Sequence, residues 1–299
     1  MEEKACELGI GKSLFYMFPQ KTFLNATDIA KAVALTPRVD SQMVADLHVG
    51  AGGAVGVAEK LFQSANLTAA GLKIGAVNAE TNANTHTFVR AMFEAADLND
   101  WFNSQLASAE TGSNRLHFRA ASFCMASSND FDNWDQGMSF FLPNASFLQP
   151  PGLVHMMIDQ TWQPNALKVD TTGAWNGGNS PKSIFSAQKS ADGKTLVLRY
   201  VNFHQPTTYD SHPPLAPATT VKVHLVGLMA AAEYNATMWT LASMDPERSN
   251  TPGQPTRVAP KKSRLPVLRD GTVLNIFANS YTVVVATLLP LTTHMQPDE

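Results

Sequence analysis

Two patterns of hydrophobic and polar positions divide the chain. In the first half, short apolar runs alternate with segments of helical character, and apolar residues recur every three to four positions from Phe88 to Leu106. A second helix is predicted over 55–67. The predicted strands are 43–49, 72–77 and 119–125. Because strands that alternate with helices form parallel sheets with crossover helices, this half is predicted to be α/β.

The second half has no helical periodicity and consists of short β-rich runs. The predicted strands are 195–201, 221–226, 237–241, 273–277 and 281–288. Between them lie the turn signals Asp192-Gly193, Thr251-Pro252-Gly253 and Asp270-Gly271. Short strands at this spacing predict an antiparallel β-sandwich.

The charge of the chain changes at the same place as the hydrophobic pattern. Residues 1–164 carry 10 Lys and Arg against 16 Asp and Glu, whereas residues 165–299 carry 12 against 9. We therefore predict two domains, an α/β domain over 1–164 and an all-β domain over 165–299.

The composition narrows the class of protein. A hydrophobic share of 44% with 16% charged residues is typical of a folded protein rather than a disordered one. A formal net charge of −3 gives no electrostatic footprint for nucleic acid, so no nucleic-acid partner is predicted. The apolar stretch 281–289 is too short for a membrane span, and two cysteines do not make a disulfide framework.

Four Asn-x-Ser/Thr sequons bear on the localisation. They begin at Asn25, Asn66, Asn144 and Asn235, whereas about three would arise by chance at this composition. Residues 1–7 are acidic and polar and lack the basic and apolar regions of a signal peptide. The sequons therefore favour the secretory pathway only slightly.

A glycine-rich turn, 50–56, follows the first predicted strand and precedes a predicted helix. Glu80 lies 24 residues beyond Gly56, as a ribose-binding acid does in a dinucleotide fingerprint. The spacing G-x-G-x-x-x-G departs from that fingerprint, and the preceding strand carries Asp46 and His48 where a buried parallel strand is apolar. A dinucleotide-binding enzyme stays open as an alternative, and a flexible strand-to-helix loop is favoured.

An acidic loop, 127–137, holds three aspartates within six residues. Carboxylates at this density could hold a hard cation, but Trp134 occupies the fifth position of an EF-hand pattern and no glutamate closes the loop. A polar loop is favoured. The histidines also lack the spacing of zinc ligands, so neither a metal nor another cofactor is predicted.

Polar residues mark the ends of two neighbouring predicted strands. Asp46 and His48 end one strand, and Asn78 and Glu80 end the next. In a β/α barrel the carboxyl ends of the strands carry the catalytic residues, and a glutamate there serves as nucleophile or base. A helix N-cap or an ion-pair partner is the alternative.

Several segments of the sequence, taken in their order along the chain, resemble segments of one known family. The segments 75–80 and 85–102 join a strand ending in Glu80 to a long Ala-rich helix, and 119–126 is followed by Trp134 and Phe140-Phe141. The patches of the second half are Ala187, 192–196, 200–202, 250–260 and 280–284. In order and spacing they resemble the C-terminal half of an α-L-arabinofuranosidase of glycoside hydrolase family 51.

The resemblance implies a fold and a chemistry. The fold would be the last strands and helices of a (β/α)₈ TIM barrel over 1–164, followed by an antiparallel β-sandwich over 165–299. Members of the family remove terminal arabinofuranosyl residues with retention, using two glutamates. Glu80 falls at the nucleophile's position and His48 at a residue that supports the sugar pocket, and the resemblance makes Asp46, Asn78 and Trp134 candidate substrate contacts.

The resemblance also implies partners and a location. The expected partner is an arabinose-containing polysaccharide or oligosaccharide of plant type, without a cofactor, and the expected location is extracellular or secretory.

One part of the family's chemistry is missing from this sequence. The acid/base glutamate of the family follows an asparagine, and no Asn-Glu pair occurs here. Residues 1–164 are also fewer than the roughly 250 of a complete barrel. We therefore expect a fragment that is inactive by itself. The alternative is a non-catalytic carbohydrate-binding or interaction β-sandwich, in which Trp162, Trp175 or Trp239 would stack on sugars, although burial is favoured for Trp239.

Overall fold

The computed structural model describes residue 27, the strands at 16–19, 43–46, 75–77 and 124–126, and residues 86–111, 138–142, 144–173, 184–204, 215–227 and 232–289. The predicted helix 55–67, the glycine-rich turn and the acidic loop lie outside these residues.

Three strands of the N-terminal part form a parallel sheet in the order β1-β2-β3. They are β1 (Tyr16–Pro19), β2 (Met43–Asp46) and β3 (Gly75–Val77). The last two lie within predicted strands, whereas β1 is not predicted because a four-residue apolar run is too short to show a period. The described residues contain no closed barrel, and the parallel pairing is consistent with part of one.

A second small sheet follows in the chain. The strand β4 (Cys124–Ala126) overlaps the end of the predicted strand 119–125 and pairs in parallel with β5 (Ser139–Leu142). The strand β6 (Ala145–Leu148) then forms an antiparallel hairpin with β5.

The first long helix, α1 (Phe88–Thr111), confirms the predicted helix. The described apolar positions of its predicted face are buried, namely Phe88, Met92, Ala95, Leu98 and Phe102. Residues between them are buried as well, including Glu94, Asn99 and Trp101. The helix is therefore enclosed on most sides, whereas a surface helix would have one polar face.

The second helix, α2 (Pro150–Thr161), is not predicted from the sequence. Pro150 and Pro151 occupy its first turn, where the missing N–H groups would have no helical partner. The apolar residues that follow at a spacing of three to four are buried, namely Leu153, Val154, Met157 and Ile158. This periodic run is short, and the two prolines before it are also typical of a loop.

Six strands among the described residues form one antiparallel sheet, in the order β12-β11-β14-β9-β8-β7. They are β7 (Asn165–Leu167), β8 (Phe185–Lys189), β9 (Thr195–Asn202), β11 (Tyr234–Ala242), β12 (Lys261–Arg264) and β14 (Ser280–Leu288). A two-stranded antiparallel sheet, β10 (Thr219–Lys222) with β13 (Val273–Ile276), lies beside it. The all-β expectation for this part is confirmed.

The large sheet is the middle of three layers, because each of its faces belongs to a separate hydrophobic core. Val197, Trp239 and Val283 pack with α1 and α2 on one face. The core on the other face joins Val284 and other residues of the large sheet to Leu274 of β13. The central strand β14 is thus covered on both faces, which explains the four consecutive apolar residues at 283–286.

In two of the predicted turns the glycine has a positive φ, as expected for a tight turn. Gly193, between β8 and β9, has a φ of 73°, and Gly271, before β13, has a φ of 79°. These positions lie in the left-handed region that favours glycine.

Hydrogen bonds tie the helical layer to the large sheet across the predicted boundary at 164/165. The Asn99 side chain donates to the carbonyl of Ile184 over 3.1 Å and accepts from the Ser186 hydroxyl over 2.7 Å. Gln149 and Asn250 exchange two hydrogen bonds of 2.9 Å. The two predicted domains therefore share a well-bonded interface, and their exact bounds stay a prediction.

Candidate functional site

The carboxyl ends of the three parallel strands lie side by side. Pro19, the last residue of β1, is in register with Asp46, the last residue of β2, and Asp46 is in register with Val77, which ends β3. Because the pairing is parallel, the chain leaves all three strands at the same edge of the sheet. In β/α enzymes this edge holds the catalytic residues.

The predicted site residues follow these strand ends in the chain. Asp46 ends β2, and Asn78 comes directly after β3. His48 and Glu80 come two and three positions after their strands, and they lie with Asn78 and Trp134 outside the described residues. The roles of these five residues stay predictions, and what the structure adds is the alignment of the strands that lead to them.

A buried carboxyl that sequence reasoning missed lies between the two helices. Glu94 of α1 has no exposed surface, and its Oε2 is 3.6 Å from Nε2 of His155 on α2. Burial raises the pKa of the Glu94 carboxyl, and His155 acts in the opposite direction. A ligand cannot reach a side chain without exposed surface, so Glu94 contributes to the contact between the helices and is not a binding residue. The signal in the sequence that indicates the burial of Glu94 is its position between Ala91 and Leu98, on the apolar face of the helix.

We expect Glu94→Gln to stabilise the protein increasingly as the pH rises. Because the folded-state pKa of Glu94 lies above its ordinary value, the contribution of this carboxyl to stability is fully present below about pH 4.3 and is lost as the pH rises through the folded pKa. The variant cannot ionise at this position. Its melting temperature should exceed that of the wild type by about 2–4 °C at pH 8 and by less at pH 5. Glu233→Gln, at a half-exposed glutamate, is the control, and a difference that does not grow with pH would refute the expectation.

A buried arginine, Arg199 of β9, lies where both helices meet the large sheet. Its guanidinium carbon is 5.0 Å from the centre of the Phe102 ring, and its Nη2 lies 3.4 Å from two oxygens of Thr161. Burial lowers the pKa of Arg199, while the neighbouring Tyr281 raises it. Burial also raises the pKa of the Tyr281 hydroxyl to about 12. Since Arg199 is only 1% exposed, this cluster joins the layers and is not accessible to a substrate.

Within the described ranges, no group of three or more potential ligand side chains could hold a metal ion. No helix of the described residues is long and apolar enough to cross a membrane.

No protein-family model and no curated protein sequence matches the chain, but solved structures do. The α-L-arabinofuranosidase from Thermotoga maritima, in complex with arabinose, has a TM-score of 0.58 and 13% identity, over 96% of this chain and 61% of that one. The family 51 α-L-arabinofuranosidase from Thermotoga petrophila has a TM-score of 0.55 and 14% identity, over 95% of this chain and 62% of that one.

This chain has the fold of the corresponding part of these two enzymes. It spans less than two thirds of the length of these enzymes, which is consistent with their C-terminal half, a partial barrel and a β-sandwich. A β-porphyranase of glycoside hydrolase family 86 from Bacteroides plebeius also matches, with a TM-score of 0.51 and 11% identity, over 97% of this chain and 50% of that one. Because enzymes with different names share this fold, the likeness shows the fold and does not identify a substrate.

The tryptophans considered for sugar stacking differ in exposure. Trp239 is 9% exposed, and the Lys262 ammonium lies 3.6 Å from the centre of its ring. Its predicted burial is confirmed, but it packs in the core between the large sheet and the helices and not between the two sheets. Trp162, just after α2, is 53% exposed. Trp175 lies outside the described residues.

Proposed function

We propose that the chain is the C-terminal half of a retaining α-L-arabinofuranosidase that removes terminal arabinofuranosyl residues from plant-type polysaccharides, with Glu80 as its nucleophile. One observation carries the proposal. The three parallel strands end in register, and the chain runs from the end of β3 into Asn78 and Glu80 and from the end of β2 towards His48. The arabinofuranosidase fold supports the same arrangement.

The proposed reaction begins with the Glu80 carboxylate. One of its oxygens attacks the anomeric carbon, an ester to the sugar forms, and the bond between that carbon and the glycosidic oxygen breaks. The leaving oxygen takes a proton from a second carboxyl, and water later cleaves the ester. In this proposal His48 holds the nucleophile in position, while Asp46, Asn78 and Trp134 contact the sugar.

The second carboxyl is the part of the reaction that this sequence does not supply. A retaining hydrolase needs its two carboxyls about 5–5.5 Å apart, and the family's Asn-Glu pair is absent here. The described Glu94 is enclosed and does not replace it. We therefore infer that hydrolysis of natural substrates needs an acid/base residue from outside this chain.

The location that accompanies this function is extracellular or secretory. Two of the sequon asparagines, Asn144 and Asn235, lie in the described residues, and both are exposed, as attachment of a glycan requires.

Activated aryl glycosides test the proposed substrate class without the missing acid. A dinitrophenolate leaving group departs without a proton, so the first step needs only the nucleophile. Dinitrophenyl α-L-arabinofuranoside should release close to one dinitrophenolate per protein molecule in a burst, because no base assists the second step. The corresponding β-D-galactopyranoside and β-D-xylopyranoside should release none above buffer. Equal release from all three sugars, or from none, would refute the proposed function.

A further inference from the structure

The two-stranded sheet of β10 and β13, called the small sheet below, lies on the side of the large sheet opposite to the two helices and has an outer face. In this antiparallel pair Thr220 lies opposite Asn275 and Lys222 opposite Val273, and all four residues are exposed. The alternate residues Leu274 and Ile276 point into the core. The outer face therefore has a fixed composition, set by the period of two along each strand.

A shallow cavity of about 520 Å³, largely open to solvent, lies at one end of this face. Its lining residues are Ala218, Thr219, Thr220, Asn275, Ile276 and Phe277. Phe277 is 56% exposed, although a phenylalanine gains most when it is buried. None of the lining side chains is charged.

Partly buried hydrogen bonds fix the backbone next to this cavity. The side-chain amide of Asn202, at the end of β9, donates to the carbonyls of Pro217 and Phe277, both over 2.7 Å. The Ser280 hydroxyl donates to the same Phe277 carbonyl over 2.8 Å. Asn202 is only 1% exposed. The backbone that carries the Phe277 ring is thus fixed by two hydrogen bonds to its carbonyl, so binding there costs little ordering of the protein.

The segment after Phe277 is fixed in the same way. Asn279 has a φ of 36°, in the left-handed region that asparagine tolerates better than most residues. Its side-chain oxygen accepts a 2.7 Å hydrogen bond from the backbone N–H of Ala216. Both strands of the small sheet are therefore anchored at the end where the cavity lies.

We propose that this cavity, the Phe277 cavity, binds a neutral oligosaccharide. The exposed ring offers a negative π face to the C–H groups of a sugar, and the Asn275 amide and Thr220 hydroxyl can hydrogen-bond its hydroxyls. A lining without charges favours a neutral ligand over an acidic one. The choice of an arabino-oligosaccharide as the ligand rests on the proposed function. The proposal that the cavity binds a neutral oligosaccharide does not depend on it.

Titration calorimetry of the full chain with arabinotetraose tests the proposal. Phe277→Ala should weaken binding about tenfold, because it removes the stacking surface. Val273→Ala is the matched control, since Val273 is also 56% exposed on β13 but does not line the cavity, and its affinity should stay within about twofold of the wild type. Asn275→Ala should weaken binding as Phe277→Ala does.

The outcomes distinguish this site from the active site. Binding that Phe277→Ala leaves unchanged, or no binding of arabinotetraose, would overturn the proposal. Self-association of the chain that Phe277→Ala abolishes, measured by sedimentation, would also overturn it and assign the face to a second copy. The dinitrophenolate burst should be the same in Phe277→Ala and wild type, so a failed burst with Phe277-dependent binding contradicts only the catalytic proposal.

Discussion

Glu80→Gln is expected to reduce the rate of the dinitrophenolate burst by about 10⁴-fold or more. A glutamine amide cannot form the ester to the sugar, and loss of a covalent nucleophile is among the largest single-residue effects in catalysis. The measurement is the initial absorbance burst with dinitrophenyl α-L-arabinofuranoside at a fixed protein concentration.

Glu233→Gln is the control for this experiment. Glu233 is half-exposed, pairs with Arg269 over 3.7 Å and is far from Glu80 in the sequence. Its variant should therefore keep the full burst. A burst of normal size in Glu80→Gln would assign the nucleophile to another residue and refute the role proposed for Glu80.

Gly152→Ala is expected to destabilise the protein by about 3 kcal/mol or more. A Cβ at Gly152 would overlap the backbone carbonyl oxygen of Met138 and contact Leu148 at 3.4 Å. That carbonyl already accepts a 2.9 Å hydrogen bond from the Gln149 N–H, just before α2 begins. The carbonyl cannot yield without breaking this hydrogen bond, so the first turn of α2 has to move away from β5. Urea denaturation of the variant and the wild type measures the loss.

Gly253→Ala is the matched control, because nothing lies within 4 Å of a Cβ at this position. Its free energy of unfolding should stay within about 0.5 kcal/mol of the wild type. An equally stable Gly152→Ala variant would show that α2 does not rest on the Met138 carbonyl as described.

The elements that the sequence predicts best are those with a clear period and a clear end. The helix α1 follows from its apolar spacing, and the strand β9 follows from a β-rich run after Asp192-Gly193, whereas its hairpin partner β8 is not predicted. In both cases local pattern and tertiary burial favour the same structure, so the local signal is sufficient.

The elements that the sequence does not reveal depend on their neighbours. The strand β12 reads Lys-Lys-Ser-Arg and is exposed throughout, and it is a strand because it pairs with the edge of β11. Charges are typical of such an edge, where they discourage pairing with other chains. The helix α2 has only one short apolar stripe, and its position depends on the fit of Gly152 to β5.

The residues of the candidate site also fall into two groups, those that the sequence could identify and those that it could not. Asp46, His48, Asn78 and Glu80 could be named from the sequence because each follows an apolar run, and the register of β1, β2 and β3 adds the shared edge. Glu94 and Arg199 could not be named, because burial of a charged side chain depends on which elements enclose it and leaves no period of its own. The Phe277 cavity likewise depends on the pairing of β10 with β13, which are separated by 50 residues of chain or more.

The covalent adduct on Glu80 is the most direct measurement of the central proposal. The chain is incubated with a dinitrophenyl deoxyfluoro-arabinofuranoside, whose fluorine slows hydrolysis of the ester, and is then analysed by intact and peptide mass spectrometry. We predict a mass increase of one fluorinated pentosyl group per chain, located on the peptide that contains Glu80 and absent from Glu80→Gln. An unmodified chain, or an adduct on any other residue, would contradict Glu80 as the nucleophile of an arabinofuranosidase.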